Sequence, residues 1–135
     1  MDKKTTTYKQ SNKSWTEVLE VTTGHPRHLG WEVRKRTVTY TSNPDKPEIT
    51  YALQHPGKDY KHYRISVSID KHGNWYGELL SEQKSFGLIG WDVLVKHPFS
   101  GSVEACKAEV IRRSEYHKRR SQAMQSIHNP VNVSV

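Results

Sequence analysis

Tyr63-Arg64-Ile65-Ser66-Val67-Ser68-Ile69 is followed by Asp70-Lys71-His72-Gly73-Asn74 and then by Trp75-Tyr76-Gly77-Glu78-Leu79-Leu80. In an extended chain Tyr63, Ile65, Val67 and Ile69 fall on one side and Arg64, Ser66 and Ser68 on the other. That alternation predicts a strand with one buried face. The five polar residues after it read as a hairpin connection, with Gly73 supplying a positive φ. The segment from Trp75 to Leu80 is the returning strand.

The pattern extends toward the N-terminus. Ile49, Tyr51 and Leu53 alternate with Thr50 and Ala52, between turns at 43–47 and 55–59 that contain Pro44, Pro47, Pro56 and Gly57. Trp31 to Ser42 reads as a further strand, but Trp31 and Val33 have one parity and Val38 and Tyr40 the other. A bulge between residues 34 and 37 would reconcile the two phases. Residues 24–30, bounded by Gly24 and Gly30, form a loop. Ser14 and Glu17 have the spacing of a helix capping box. The β-branched residues Val18, Val21, Thr22 and Thr23 favour a strand there instead. Residues 1–14 carry four lysines and no apolar periodicity, and read as a flexible basic arm.

Beyond Leu80, residues 81–85 read as a polar loop. Leu88 to His97 predicts a last strand with Trp91, Val93 and Val95 on one face, stopped by Pro98. Trp31, Trp75 and Trp91 share parity with aliphatic neighbours and are assigned to the core. Ser102 can cap a helix beginning at Val103. Val103, Cys106 and Val110 recur at helical spacing, and the stripe then fades into Ser114, His117, Ser121 and Met124. The first turns should therefore pack on the sheet and the later ones form a solvated basic extension. Short connections favour sequential antiparallel neighbours. The expected fold is α+β: an antiparallel meander of four to six strands followed by one long C-terminal helix. Residues 15–128 form the domain, and residues 129–135 a tail.

The 135 residues include 21 Lys and Arg, 14 Asp and Glu and 8 His, a formal net charge of +7. Only 33% are hydrophobic, which makes the core small, but 4 Trp and 7 Tyr each bury a large area. No apolar run approaches the length of a membrane span. Met1 to Ser14 has no apolar segment of the signal-peptide kind, so a cytoplasmic location and no membrane partner are expected. The single cysteine, Cys106, excludes an intramolecular disulfide framework, and its place on the packing stripe predicts a buried, inert thiol.

No nucleophile elbow, phosphate-binding loop or zinc-protease motif occurs, and no catalytic residue is assigned. His62, Arg64 and His72 would have to converge at one hairpin end to serve acid–base chemistry. His25 and His28 have a two-ligand spacing with no third ligand, so no metal or cofactor is expected. The charge suggests a polyanion. Arg112-Arg113-Ser114-Glu115-Tyr116-His117-Lys118-Arg119-Arg120 sets five cations against one acid. On a helix Arg112, Arg113, Tyr116, Arg119 and Arg120 share one side and suit a row of phosphate contacts, with Lys118 adding charge. Within the sheet, Arg34, Lys35 and Arg36 form a second basic group, with Arg34 and Arg36 beside Glu32 on one face. A face interleaving Tyr, Arg and Lys suits stacked bases and a tracked backbone.

The segment from Trp75 to Val110 is similar in outline to the small three-strand-plus-helix DNA-binding modules of phage integrases. That resemblance covers about a quarter of the chain by fold-level analogy and implies DNA contact without transferring any residue. Short basic chains without a catalytic signature also look like accessory proteins of phages and other mobile elements. Two readings follow. In one, the protein is a non-enzymatic nucleic-acid-binding accessory protein using its basic helix and sheet face. In the other, it is a protein-interaction module that inhibits or adapts a host nucleic-acid-processing or defence protein through its basic surface.

Overall fold

Among the described residues seven consecutive strands, joined by short connections, precede one α-helix. The computed structural model describes residues 3–85 and 88–128, with side chains described at 3–82 and 101–125. The strands are β1 (Lys4–Ser11), β2 (Trp15–Thr23), β3 (Glu32–Tyr40), β4 (Glu48–Gln54), β5 (Tyr63–Ile69), β6 (Trp75–Ser85) and β7 (Leu88–Ser102). A 3₁₀ turn at Lys58–Tyr60 precedes β5, and α1 spans Val103–His128. The strands lie in sequence order in one sheet, and each pairs antiparallel with its neighbour. The α+β meander is as expected, with one strand more than the upper bound of six.

The extra strand is β1. Residues 4–11 do not form an arm. They pair residue for residue with β2, from Lys4 opposite Thr23 to Ser11 opposite Thr16. The Thr5 and Thr22 hydroxyls meet at 2.9 Å. All eight residues of β1 are exposed, so backbone pairing rather than core burial orders them. The connection to β2 is pinned by the Asn12 side chain, which accepts from the N–H groups of Ser14 and Trp15. The strand assignment for 15–22 holds.

The bulge expected in β3 is absent. Its ladders to β2 and β4 run without interruption. Val33 packs into the core on the helix side, while Val38 lies on the other face opposite Glu17, so the strand has no single apolar side. Residues 81–85 continue β6 rather than forming a loop. Pro98 does not end β7, which runs directly into α1 at Ser102. The ladder to β6 shifts register between Glu78 and Leu80, opposite the stretch that holds Pro98. A shifted edge ladder is where a residue without an N–H is tolerated. The expected core role of Trp91, Val93 and Val95 lies outside the described side chains, and the tail at 129–135 outside the described residues.

The hairpin from β5 to β6 is the centre of the core. Leu53, Ile65 and Leu79 are fully buried beside one another in register, and Cys106 and Val110 of α1 close over them. Trp31, Val33, Tyr63, Val67 and Val103 complete the buried cluster, with Trp75 partly buried against it. Ser102 Oγ accepts from the Ala105 N–H and caps α1. A Cβ added to Gly77 would lie 3.0 Å from Ile65 and 3.2 Å from the Val103 backbone, so the helix start sits directly on a glycine. Burial along α1 ends at Ser114, and every residue from Glu115 to Gln125 is exposed, as the fading stripe predicts. Burial also pushes the Cys106 thiol pKa up, with the Glu78 carboxylate adding to it.

Candidate functional site

Strand register decides which charged residues share a face. Directly paired residues of an antiparallel sheet lie on the same side. Val33 pairs with Leu53, and Leu53 with Ile65, on the side covered by α1. The opposite, outer face therefore carries Arg34 opposite Ala52, Arg36 opposite Thr50, and Arg64 opposite Leu80. Ala52 in turn faces Ser66. These short side chains leave a hollow of about 150 Å³, rimmed by Arg34, Arg36 and Arg64 and bounded by Leu19 and Leu80. A shallower depression at Tyr8, Gln10 and Glu17 shares Leu19 and Arg36 with it, which extends the hollow into a trough toward β1.

The trough is positive but not uniformly so. Arg36 bonds Glu17 at 2.5 Å and Arg34 bonds Glu32 at 3.3 Å. Arg64 is half-buried, and burial, reinforced by the charges of Arg34 and Arg36, pushes its guanidinium pKa down to about 10. It is still protonated at neutral pH, and an anion entering the hollow would relieve its repulsion with the other two. Aromatic residues flank the cluster. Tyr8 is exposed on β1, Trp15 pairs with Tyr40 farther along the same face, and Tyr76 is exposed on β6. Guanidiniums with exposed rings on a sheet can hold phosphates and stack bases.

Of the nine site residues expected from sequence, the structure places Arg34 and Arg36 together on the outer sheet face and Arg112, Arg113, Tyr116, Arg119 and Arg120 along one side of α1, apart from them. Lys35 points to the helix side, opposite Glu20 and Tyr51. Arg112 gives two hydrogen bonds to Glu109, at 2.6 and 3.1 Å, and Arg113 gives a third at 2.7 Å. Those bonds, Arg112's first, hold the Glu109 carboxyl pKa down at about 2, so half of the arginine row is already paired. Tyr116 is exposed, with its ring edge-on to His117 at 5.6 Å. Arg119 and Arg120 are exposed on the same side of α1, and Lys118 lies on another. The helix covers the sheet face opposite Arg34 and Arg36. One short ligand cannot bridge the two groups.

Arg64 was missed as a site residue although its position in the alternation was plain. Its partnership with Arg34 and Arg36 depends on β4 lying between β3 and β5 with small residues facing outward. His62 and His72 are at opposite ends of β5 and do not converge. His25 and His28 pack ring to ring at 5.2 Å, and His28 packs on Trp75 at 4.7 Å. The pair acts in packing, and no group of three or more His, Cys, Asp or Glu suited to a metal occurs among the described residues. No described helix is long and apolar enough to cross a membrane. No protein family, curated protein or solved structure matches the chain.

Proposed function

We propose that the protein is a nucleic-acid-binding accessory protein whose outer sheet face takes a single strand, with Arg34, Arg36 and Arg64 on its phosphates. The observation that carries this reading is the convergence of three guanidiniums, from two strands separated by β4, on one hollow floored by Ala52, Thr50 and Ser66. Exposed Tyr8 and Tyr76 supply rings for stacking at the two ends of the face. Glu17 and Glu32 compete for the same guanidiniums, so affinity should be moderate and sequence preference weak. Amide NMR shifts on adding a short oligonucleotide are expected at Leu19, Thr50, Ala52 and Ser66. Shifts confined to α1 would reject the assignment.

A second reading is favoured by the exposed helix surface from Glu115 to Gln125, which carries Lys118, Arg119 and Arg120. That surface suits an acidic protein partner, which the chain would inhibit or adapt. A stoichiometric partner that stays bound through nuclease treatment and is released by Arg119→Glu would support it.

A further inference from the structure

Two side chains, His62 facing α1 and Arg113 on it, are each held from behind by a carboxylate. His62 places Nδ1 3.1 Å from Oε2 of Glu82, whose side chain is only 7% exposed while the imidazole is half exposed. Arg113 donates its Nε to Glu109 at 2.7 Å. Both residues line one cleft of roughly 350 Å³ between α1 and the segment before β5, together with Ser114 and His117. The cleft continues along the helix past Lys118, opposite Lys58 and Lys61. Along the cleft and its continuation Lys58, Lys61, Arg113 and Lys118 exceed Asp59, Glu82 and the Glu109 carboxylate on Arg113 by one, with the three lysines in the continuation.

A carboxylate on Nδ1 fixes the ring of His62 and leaves Nε2 for a ligand. A carboxylate on Nε of Arg113 likewise leaves its two terminal nitrogens. Donors oriented in advance lose less freedom on binding. Ser114 is 4% exposed, and its hydroxyl has no hydrogen-bond partner within the fold. A buried hydroxyl left in that state is costly, and a ligand oxygen would satisfy it. A flat carboxylate ligand would favour the guanidinium edge that includes Nε, which Glu109 already occupies. A tetrahedral dianion can instead take donors from several walls at once.

We propose that this cleft binds a phosphate monoester, held by His62, Arg113 and His117, with Lys118 lining the adjoining depression. It lies on the helix side of the sheet and does not depend on the outer-face reading. The monoester can be a small phosphorylated molecule or the 5′ end of a nucleic-acid strand, since both present the same dianion. The test is an NMR titration of the folded protein with inorganic phosphate, at constant ionic strength maintained with chloride. The His62 and His117 ring signals should shift saturably. Arg113→Gln and His62→Asn should each weaken binding about tenfold in protein that still melts cooperatively, while Arg64→Gln should leave the His62 and His117 titration unaltered. Glycerol 3-phosphate and oligonucleotides with and without a 5′ phosphate then separate the two sources. Shifts that never saturate, or cleft variants that bind like the parent, would overturn the proposal. If Arg34, Arg36 and Arg64 variants abolish oligonucleotide binding yet leave the phosphate titration intact, the two sites are separate.

Discussion

His28 shows how one residue couples packing to pH. Its ring is 3% exposed, stacked against Trp75 and His25, and neither nitrogen has a hydrogen-bond partner. Burial, with the charge of Lys107 next, pushes its pKa from 6.5 down to about 4. The unfolded chain thus binds a proton between pH 6.5 and 4 that the fold refuses, so stability falls as pH drops through that window. The loss from this residue should reach about 2 kcal/mol by pH 5 and level off below pH 4. Burial shifts His25 and His55 in the same direction, and they add to the slope. Urea unfolding at pH 7.5 and pH 5 should show a smaller difference in His28→Leu than in the parent. An unchanged difference would mean that the imidazole is not buried as described. The alternation that placed Arg64 opposite Tyr63 and Ile65 was legible in the sequence. Its pairing with Arg34 and Arg36 was not, because it depends on the register of three strands.

At the scale of elements, the packing of α1 on β6 sets the fold. Gly77 lets the Val103 backbone approach, with Cys106 Sγ 3.1 Å from where a Cβ would stand. Gly77→Ala should cost about 1–3 kcal/mol through overpacking, read as a lower urea midpoint with an unchanged slope. Gly73→Ala should also destabilise, for a different reason: its φ is +80° and the space around it is open, so the strain is in the backbone. The hairpin from β5 to β6 was legible because its alternation and turn chemistry agree, and Asp70 accepts from the His72 and Asn74 N–H groups in the turn. The helix start was legible because the Ser102 cap and the Val103, Cys106, Val110 stripe agree. β1 was not, since Lys4 to Ser11 has no apolar alternation. Its three consecutive threonines and Tyr8 were the available signal, and only pairing with β2 turns that propensity into a strand. The expected stop at Pro98 failed because an edge ladder can change register around a proline.

For the whole molecule, basic residues divide between two surfaces on opposite sides of one sheet. Composition alone revealed the positive charge, and the helix arginines were the more conspicuous cluster in sequence. In the fold, Arg112 and Arg113 are tied to Glu109; Arg34 and Arg36 also carry ion pairs, to Glu32 and Glu17, but together with Arg64 they surround a hollow. Arg119→Ala with Arg120→Ala should therefore reduce oligonucleotide affinity only a few-fold, by weakening the general field while Arg34, Arg36 and Arg64, the arginines proposed to hold phosphates, stay in place. The most direct test is fluorescence-anisotropy binding of a single-stranded oligonucleotide across a salt series, comparing the parent with Arg34→Gln/Arg36→Gln/Arg64→Gln. The expected result is micromolar or tighter binding at low salt, with a log–log salt slope that flattens by about two in the triple variant, at roughly 0.7 for each phosphate that the arginines no longer neutralise. A triple variant that folds normally and keeps both the parent affinity and the parent slope would contradict the assignment of the outer sheet face.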